Sequence, residues 1–266
     1  MTNKMAPRIL LCLFYNKLRA ASCIFYKMRL EICNLQVTIC RYFGRSIPQP
    51  IEIMVTLGIA SEQRVVLRNI SWQTFESMLA DMGEDRASRL TYDQGTLEIM
   101  APQMPHEHWN RLIERLIFVL GEELNLEIFP AGSTTLIRKD VRCGAEPDSS
   151  YYIQNEALVK NKSAIDLYNN QLPDLVVEID LTSSSLDKFQ VYASLGVPEL
   201  WRYDDGVLNI YQLQQKEYIQ CNYSPTFAQL PLIGIPRFLD ESQKIGVMGM
   251  TRIFRTWVRR LLGSDK

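Results

Sequence analysis

The sequence predicts an α/β fold, and three observations carry that prediction. Pro173 to Asp205 reads as strand, helix, strand. An apolar run, Leu175-Val176-Val177, stops at Glu178 and Asp180, and the polar loop Thr182 to Ser185 follows. A helical segment with Lys188 and Tyr192 ends at Gly196 and Pro198, before a second apolar-aromatic strand, Glu199 to Tyr203. Leu175, Val176, Val177 and Ile179 fill both pleat faces of the first strand, so both of its faces are covered. Finally, Leu112, Leu116, Leu120 and Leu124 recur at spacing four, widened by Ile113 and Ile117, which predicts a long amphipathic helix over His106 to Leu126.

The 266 residues suffice for a sizeable core, and the net charge of −1 hides an asymmetry. Residues 1–53 hold eight Lys/Arg against two acids, a balance of +6; the remainder holds 21 basic and 28 acidic residues, or −7. Four of the six cysteines (Cys12, Cys23, Cys33, Cys40) also lie in the first piece. Residues 1–53 therefore read as a basic, Cys-rich extension outside the fold, and residues 54–266 as the working domain. The apolar run Ile9 to Tyr15 is at the short limit for a signal peptide and too short to span a bilayer. Ile47 to Glu52, with two prolines, reads as a linker. Cys143 and Cys221 form no CxxC pair, which points to a reducing, cytoplasmic setting without structural zinc. No stable membrane association is expected for 54–266.

Along the main body, Ser71 is placed to cap a helix with Phe75, Met78 and Leu79 on its apolar stripe. Arg89 to Met100 reads as a hairpin turning at Asp93-Gln94-Gly95. In the long helix that follows, His108 falls on the side of Leu112 and is expected to turn towards the core. Short strands are expected at Thr134 to Arg138 and Pro147 to Ile153, then an exposed polar insertion, Asn155 to Gln171. Asp174 to Asp180 is the central strand. Val207 to Leu213 pairs with Glu217 to Tyr223. The last helix, Thr251 to Leu262, is expected to bury Ile253, Trp257 and Leu261 and to show Arg252, Arg255 and Arg259 outwards. No phosphate-binding glycine loop, GxSxG elbow or HExxH pattern is present, which weighs against nucleotide-fuelled, hydrolase-triad and zincin chemistry.

Strand, acidic tip, helix with a lysine, strand is an order that suits a metal-dependent nuclease core. Glu178 and Asp180 share a strand face, and carboxylates after Leu-Val-Val are costly to bury without a compensating cation. If the strand after Asp148 lies beside this one, Asp148 and Glu178 can bind one divalent ion, with the carbonyl of Ile179 as third ligand. All-oxygen ligation suits Mg²⁺ or Mn²⁺, which activates water and stabilises charge on a phosphoryl oxygen. Ser184 and Asp187 resemble a capping box, which would set Lys188 one turn into the helix with Tyr192 on its face.

Asp148 after a proline, Glu178 in PDLVVEID, and KFQVYASLGVPELWRYD resemble the PD-(D/E)XK nuclease superfamily. More narrowly they are similar to the Uma-type restriction endonucleases of bacteria, over about residues 65–262. The resemblance implies a restriction-endonuclease-like mixed central β-sheet flanked by helices, with Asp148 and Glu178 as catalytic metal ligands. It implies Lys188 as a migrated catalytic lysine, because Asp180 stands where the superfamily places that lysine. His108 matches a histidine of the family's long helix and joins the catalytic set on that ground. The implied activity is Mg²⁺-dependent (or Mn²⁺-dependent) cleavage of DNA by a homodimer. Two alternatives stand beside it: a degenerate nuclease fold that binds DNA or a protein without cutting, and a structural α/β domain with solvated acids.

Overall fold

The computed structural model describes residues 52–57, 62–83, 87–102, 104–160, 172–180, 186–227 and 230–263. Residues 1–51, the loop Thr182 to Ser185 and most of the expected polar insertion lie outside these. Of the expected linker only Glu52 is described, and it opens the first strand, β1 (Glu52–Leu57). Among the described residues there are two six-stranded sheets and five α-helices, and no helix is long and apolar enough to cross a membrane.

The first sheet has the order β1-β2-β4-β3-β7-β6, all antiparallel, with β2 (Glu62–Arg68), β3 (Arg89–Asp93), β4 (Thr96–Pro102), β6 (Leu136–Arg138) and β7 (Cys143–Ala145). The expected hairpin is β3-β4, with Gln94 and Gly95 both at positive φ in its turn. Helix α1 (Trp72–Met82) starts where expected, the Ser71 hydroxyl accepting from Thr74 N–H at 3.1 Å. It lays Phe75 on Tyr92 with ring centroids 4.7 Å apart. The helix comes so close that a Cβ on Gly144 would meet the Phe75 ring at 3.0 Å.

The second sheet has the order β12-β11-β10-β9-β8-β5 and is mixed. Its strands are β5 (Phe129–Pro130), β8 (Ser149–Tyr152), β9 (Leu175–Asp180), β10 (Glu199–Asp204), β11 (Val207–Gln214) and β12 (Glu217–Cys221). Only β9 and β10 run parallel, as a strand–helix–strand crossover requires. Every residue of β9 is buried. Leu175, Val177 and Ile179 face two long helices, α2 (Met104–Leu124) and α5 (Ile235–Leu261). Val176 faces the other way, against α4 (Lys188–Leu195) and the strands β6 and β7. A short helix, α3 (Glu156–Val159), follows β8 and buries Val159. This is the mixed, helix-flanked sheet expected from the sequence.

Two helices depart from expectation. The last helix begins at Ile235, some 16 residues early, and bends at Gly246 (φ 74°), which breaks the periodicity that would have shown it. Its buried face is Met250, Phe254 and Val258, so Ile253 and Leu261 point outwards. Helix α4 begins at Lys188 with Asp187 as its cap, the carboxylate accepting from Phe189 and Gln190 N–H. The cap is therefore Asp187 rather than Ser184, and Lys188 is the first helical residue rather than one turn in.

Candidate active site

The site forms where β8 and β9 meet beneath the start of α4. Ser149 pairs with Val177 antiparallel, so the register sets Asp148 opposite Glu178, on the same face. Asp148 Oδ2 accepts from Ile179 N–H at 2.8 Å, which locks the two segments together.

Helix α2 supplies the next layer. Asn110 Nδ2 donates to the Asp148 carbonyl at 3.1 Å, and its Oδ1 accepts from Ser149 at 2.9 Å. One turn earlier, His106 Nε2 lies 3.2 Å from Asp148 Oδ2, both side chains 1 % exposed. His108 does not reach the site: it is exposed, with its ring against Trp109. Spacing alone allows both histidines a buried stripe, 106-110-113-117 or 108-112-116. Only the first stripe lies over β8 in the opening turn. The polar residue Asn110 within that stripe is the signal that marks it.

Helix α4 closes the other side. Lys188 Nζ donates to Glu178 Oε2 and lies 3.7 Å from Asp180 Oδ1. Tyr192, one turn on, donates its hydroxyl to Glu178 Oε1. Arg202 of β10 is bonded to Asp180 Oδ2 and stacks on the Phe189 ring at 4.9 Å. Three acids and one lysine are thus buried together: Asp148 3 %, Glu178 1 %, Asp180 3 % and Lys188 9 % exposed. Tyr192 and Arg202 complete the cluster; of these, only Arg202 gave no sequence signal.

Burial pushes Glu178 up to about 7 despite the Lys188 charge, with Asp148 and Asp180 adding to the rise. Burial would raise Asp148 too, but the His106 hydrogen bond, the Lys188 charge and the Ile179 amide hold it below the usual carboxylate range. Burial would lower Lys188, and the three acids outweigh it and hold its ammonium above the ordinary lysine range. Asp148 Oδ1 and Asp180 Oδ1 are buried without a hydrogen-bond partner among the described residues. Buried acceptors of that kind are rare and mark a place for a cation or donor. Among the described residues no three His, Cys, Asp or Glu side chains are grouped to hold a metal ion. A Mg²⁺-type ion does not need three, because one or two carboxylates, waters and substrate phosphate oxygens complete its shell.

Two of the three arginines expected outwards, Arg255 and Arg259, are neutralised. Arg255 bonds Glu122 and Glu123, and Arg259 bonds Glu123 at 2.8 Å, tying α5 to α2. They hold helices together rather than form a basic patch.

A family model described as "Uma2: Putative restriction endonuclease" matches residues 72–239. The match takes in α1, the hairpin, α2 and the whole site. Among solved structures, the chain is similar to one described as a putative nuclease belonging to DUF820 from Anabaena variabilis. That likeness has 18 % identity and a TM-score of 0.42, over 68 % of this chain and 99 % of that one. Comparison with curated proteins finds no match.

Proposed function

Since the chain belongs to the Uma2 family of nucleases, we propose that it is a metal-dependent endonuclease that hydrolyses phosphodiester bonds in DNA. The observation that carries this reading is the buried set Asp148, Glu178 and Lys188, drawn from β8, β9 and α4 onto one face. Asp148 through its open Oδ1, and Glu178 through lone pairs left by Lys188 and Tyr192, are the residues that would hold Mg²⁺ or Mn²⁺. Such an ion supplies a more acidic water and a counter-charge for the phosphoryl oxygens. Lys188 keeps a full positive charge beside the acids, where it can neutralise charge gathering on the scissile phosphate. Tyr192 and Lys188 fix both Glu178 oxygens in place. His106 and the Ile179 amide fix Asp148 Oδ2 and leave Oδ1 directed elsewhere. Cutting both strands of a duplex with one such site per chain calls for a homodimer.

The test is incubation of the full chain with supercoiled plasmid and Mg²⁺ or Mn²⁺. Nicked and linear products should appear with metal, vanish with chelator, and be absent from Glu178→Ala. Cleavage that survives Glu178→Ala refutes the assignment. A second reading has its own support: Asp180, at the superfamily's lysine position, is held by Arg202, and Glu178 by Lys188 and Tyr192. A cluster so closed is what a binding module without cleavage would keep. Plasmid binding with no nicking under any metal would favour it.

A further inference from the structure

Both sheets turn one face towards α4, and each of those faces carries charged residues beside the apolar ones that pack on the helix. Thr91 of β3 stands opposite Ala145 of β7, and Ala145 packs with Val191 and Tyr192 of α4 and Val176 of β9. Cys143 on that face donates to the Val191 carbonyl. The alternating register puts Arg89, two residues from Thr91, on this same face. Continuing the β3-β7 pairing, in which Glu146 N–H bonds Leu90 O at 3.0 Å, sets Arg89 across from Pro147. On that register Arg89 lies beside the Glu146-Pro147 segment that leads from β7 to Asp148, on the face of the first sheet that α4 covers.

This row is built from charge. Arg89 pairs through Met100 with Arg64 of β2, and Glu98 of β4 bonds Arg64 at 2.6 Å. Arg64, Thr91 and Glu98 are buried. On the opposite face, across from Leu90, Glu146 is engaged by Leu90 N–H at 2.8 Å and Thr135 Oγ1 at 2.5 Å. Arg89 is left differently: its Nε is buried and has no hydrogen-bond partner among the described residues. A guanidinium offers five donors in a planar fork, and a buried N–H without an acceptor is unfavourable until one arrives. The fork matches a phosphate in geometry and charge.

We propose that Arg89 is a phosphate-binding residue of the site, taking a backbone phosphate of the DNA strand on which the acids of the second sheet act. This rests on the nuclease reading and adds to it: the first sheet supplies a phosphate contact to a site whose acids lie on the second. Contacts of this kind position the strand without reading its sequence.

The test uses the full chain with a short fluorescein-labelled DNA duplex and Ca²⁺ in place of Mg²⁺, read by anisotropy across salt concentrations. Arg89→Gln should weaken binding about tenfold, the usual loss for a charge-assisted contact. It should also reduce the salt slope by about 1, equally for unrelated duplex sequences. Arg89→Lys should keep the slope while losing part of the affinity. Thermal melts of both variants check that they fold. Should Arg89→Gln not fold, Arg89→Lys and the wild type are compared for the rise in melting temperature with inorganic phosphate, which must be smaller in the variant. Wild-type binding and cleavage with an unchanged slope in Arg89→Gln overturns this inference alone. A wild type that neither binds nor cuts DNA overturns the nuclease reading. In that case a phosphate-dependent melting shift lost in Arg89→Gln still upholds an anion site, and its absence removes that too.

Discussion

Asp174 precedes strand β9 and Glu178 lies within it; both are buried, yet they are held by opposite means. Asp174 accepts from Ile153 N–H at 2.7 Å, Asn155 N–H at 3.0 Å and the Asn155 side chain at 2.6 Å. All three donors are neutral and come from the one turn after β8. Glu178 has a lysine and a tyrosine from α4, and two other acids share its surroundings. The first arrangement satisfies a carboxylate and pins a loop. The second gathers like charges that only a cation can hold together, and leaves Asp148 Oδ1 and Asp180 Oδ1 open. Glu146 and Glu199 belong with Asp174, each taking backbone and side-chain donors from neighbouring segments. Burial alone therefore does not mark a site; buried acids with charged partners and spare acceptors do.

The largest expected effect separates the two kinds of acid. Glu178→Gln should cut plasmid nicking by at least about 100-fold, because a carboxylate proposed to hold the metal is lost. Asp174→Asn should leave nicking per folded molecule unchanged while costing about 1–3 kcal/mol of stability, the usual range for stranding buried donors. Nicking rates and urea melts of both variants check this, and a loss of activity in folded Asp174→Asn would erase the distinction.

Next in size is the histidine pair. His106→Ala removes the group beside Asp148 Oδ2 and should slow cleavage about 10–100-fold, as loss of a ligand-orienting partner does. His108→Ala, on the exposed side of α2, should stay near wild type. The reverse ranking in the same assay would move the site to the other face of α2. Asn110→Ala tests the support behind His106: it leaves the Asp148 carbonyl and Ser149 without their partner, and should cost about 1–3 kcal/mol in urea melts.

That histidine shows where sequence reasoning reached its limit. Strand–helix–strand order, the β3-β4 hairpin and the Ser71 cap were legible because each depends on short-range pattern, whereas the pairing of Asp148 with Glu178 entered only on the condition that their strands lie side by side. The choice between His106 and His108 depends on which face of a first turn lies over β8, and that is tertiary. Arg202 was invisible for the same reason: it meets Asp180 only because β10 runs parallel beside β9 in one particular register. The first sheet was legible in its hairpin and in β6, expected within Thr134 to Arg138. Strand β7 has three residues, too few for alternation to show. The rule that apolar residues mark the inside also fails on the polar face carrying Arg64 and Glu98.

The smallest effect concerns pH, and it probes a structural acid. Glu199 is 1 % exposed and takes Trp201 Nε1–H at 2.5 Å and Thr226 N–H at 2.8 Å. Burial raises its pKa above the ordinary glutamate value of 4.5, even though its hydrogen-bond donors favour the ionised form. A raised pKa means that the folded state holds this proton more tightly than the unfolded one. The linked stability is therefore complete below pH 4.5 and is lost as pH climbs through the folded value. Glu199→Gln keeps an acceptor but cannot ionise, so the gap in melting temperature between variant and wild type should move in the variant's favour across that window. Activity should not follow, because Glu199 braces β10 to the Thr226 turn and faces none of the open acceptors. If the gap stays constant from pH 4 to 8, Glu199 does not titrate as its burial requires.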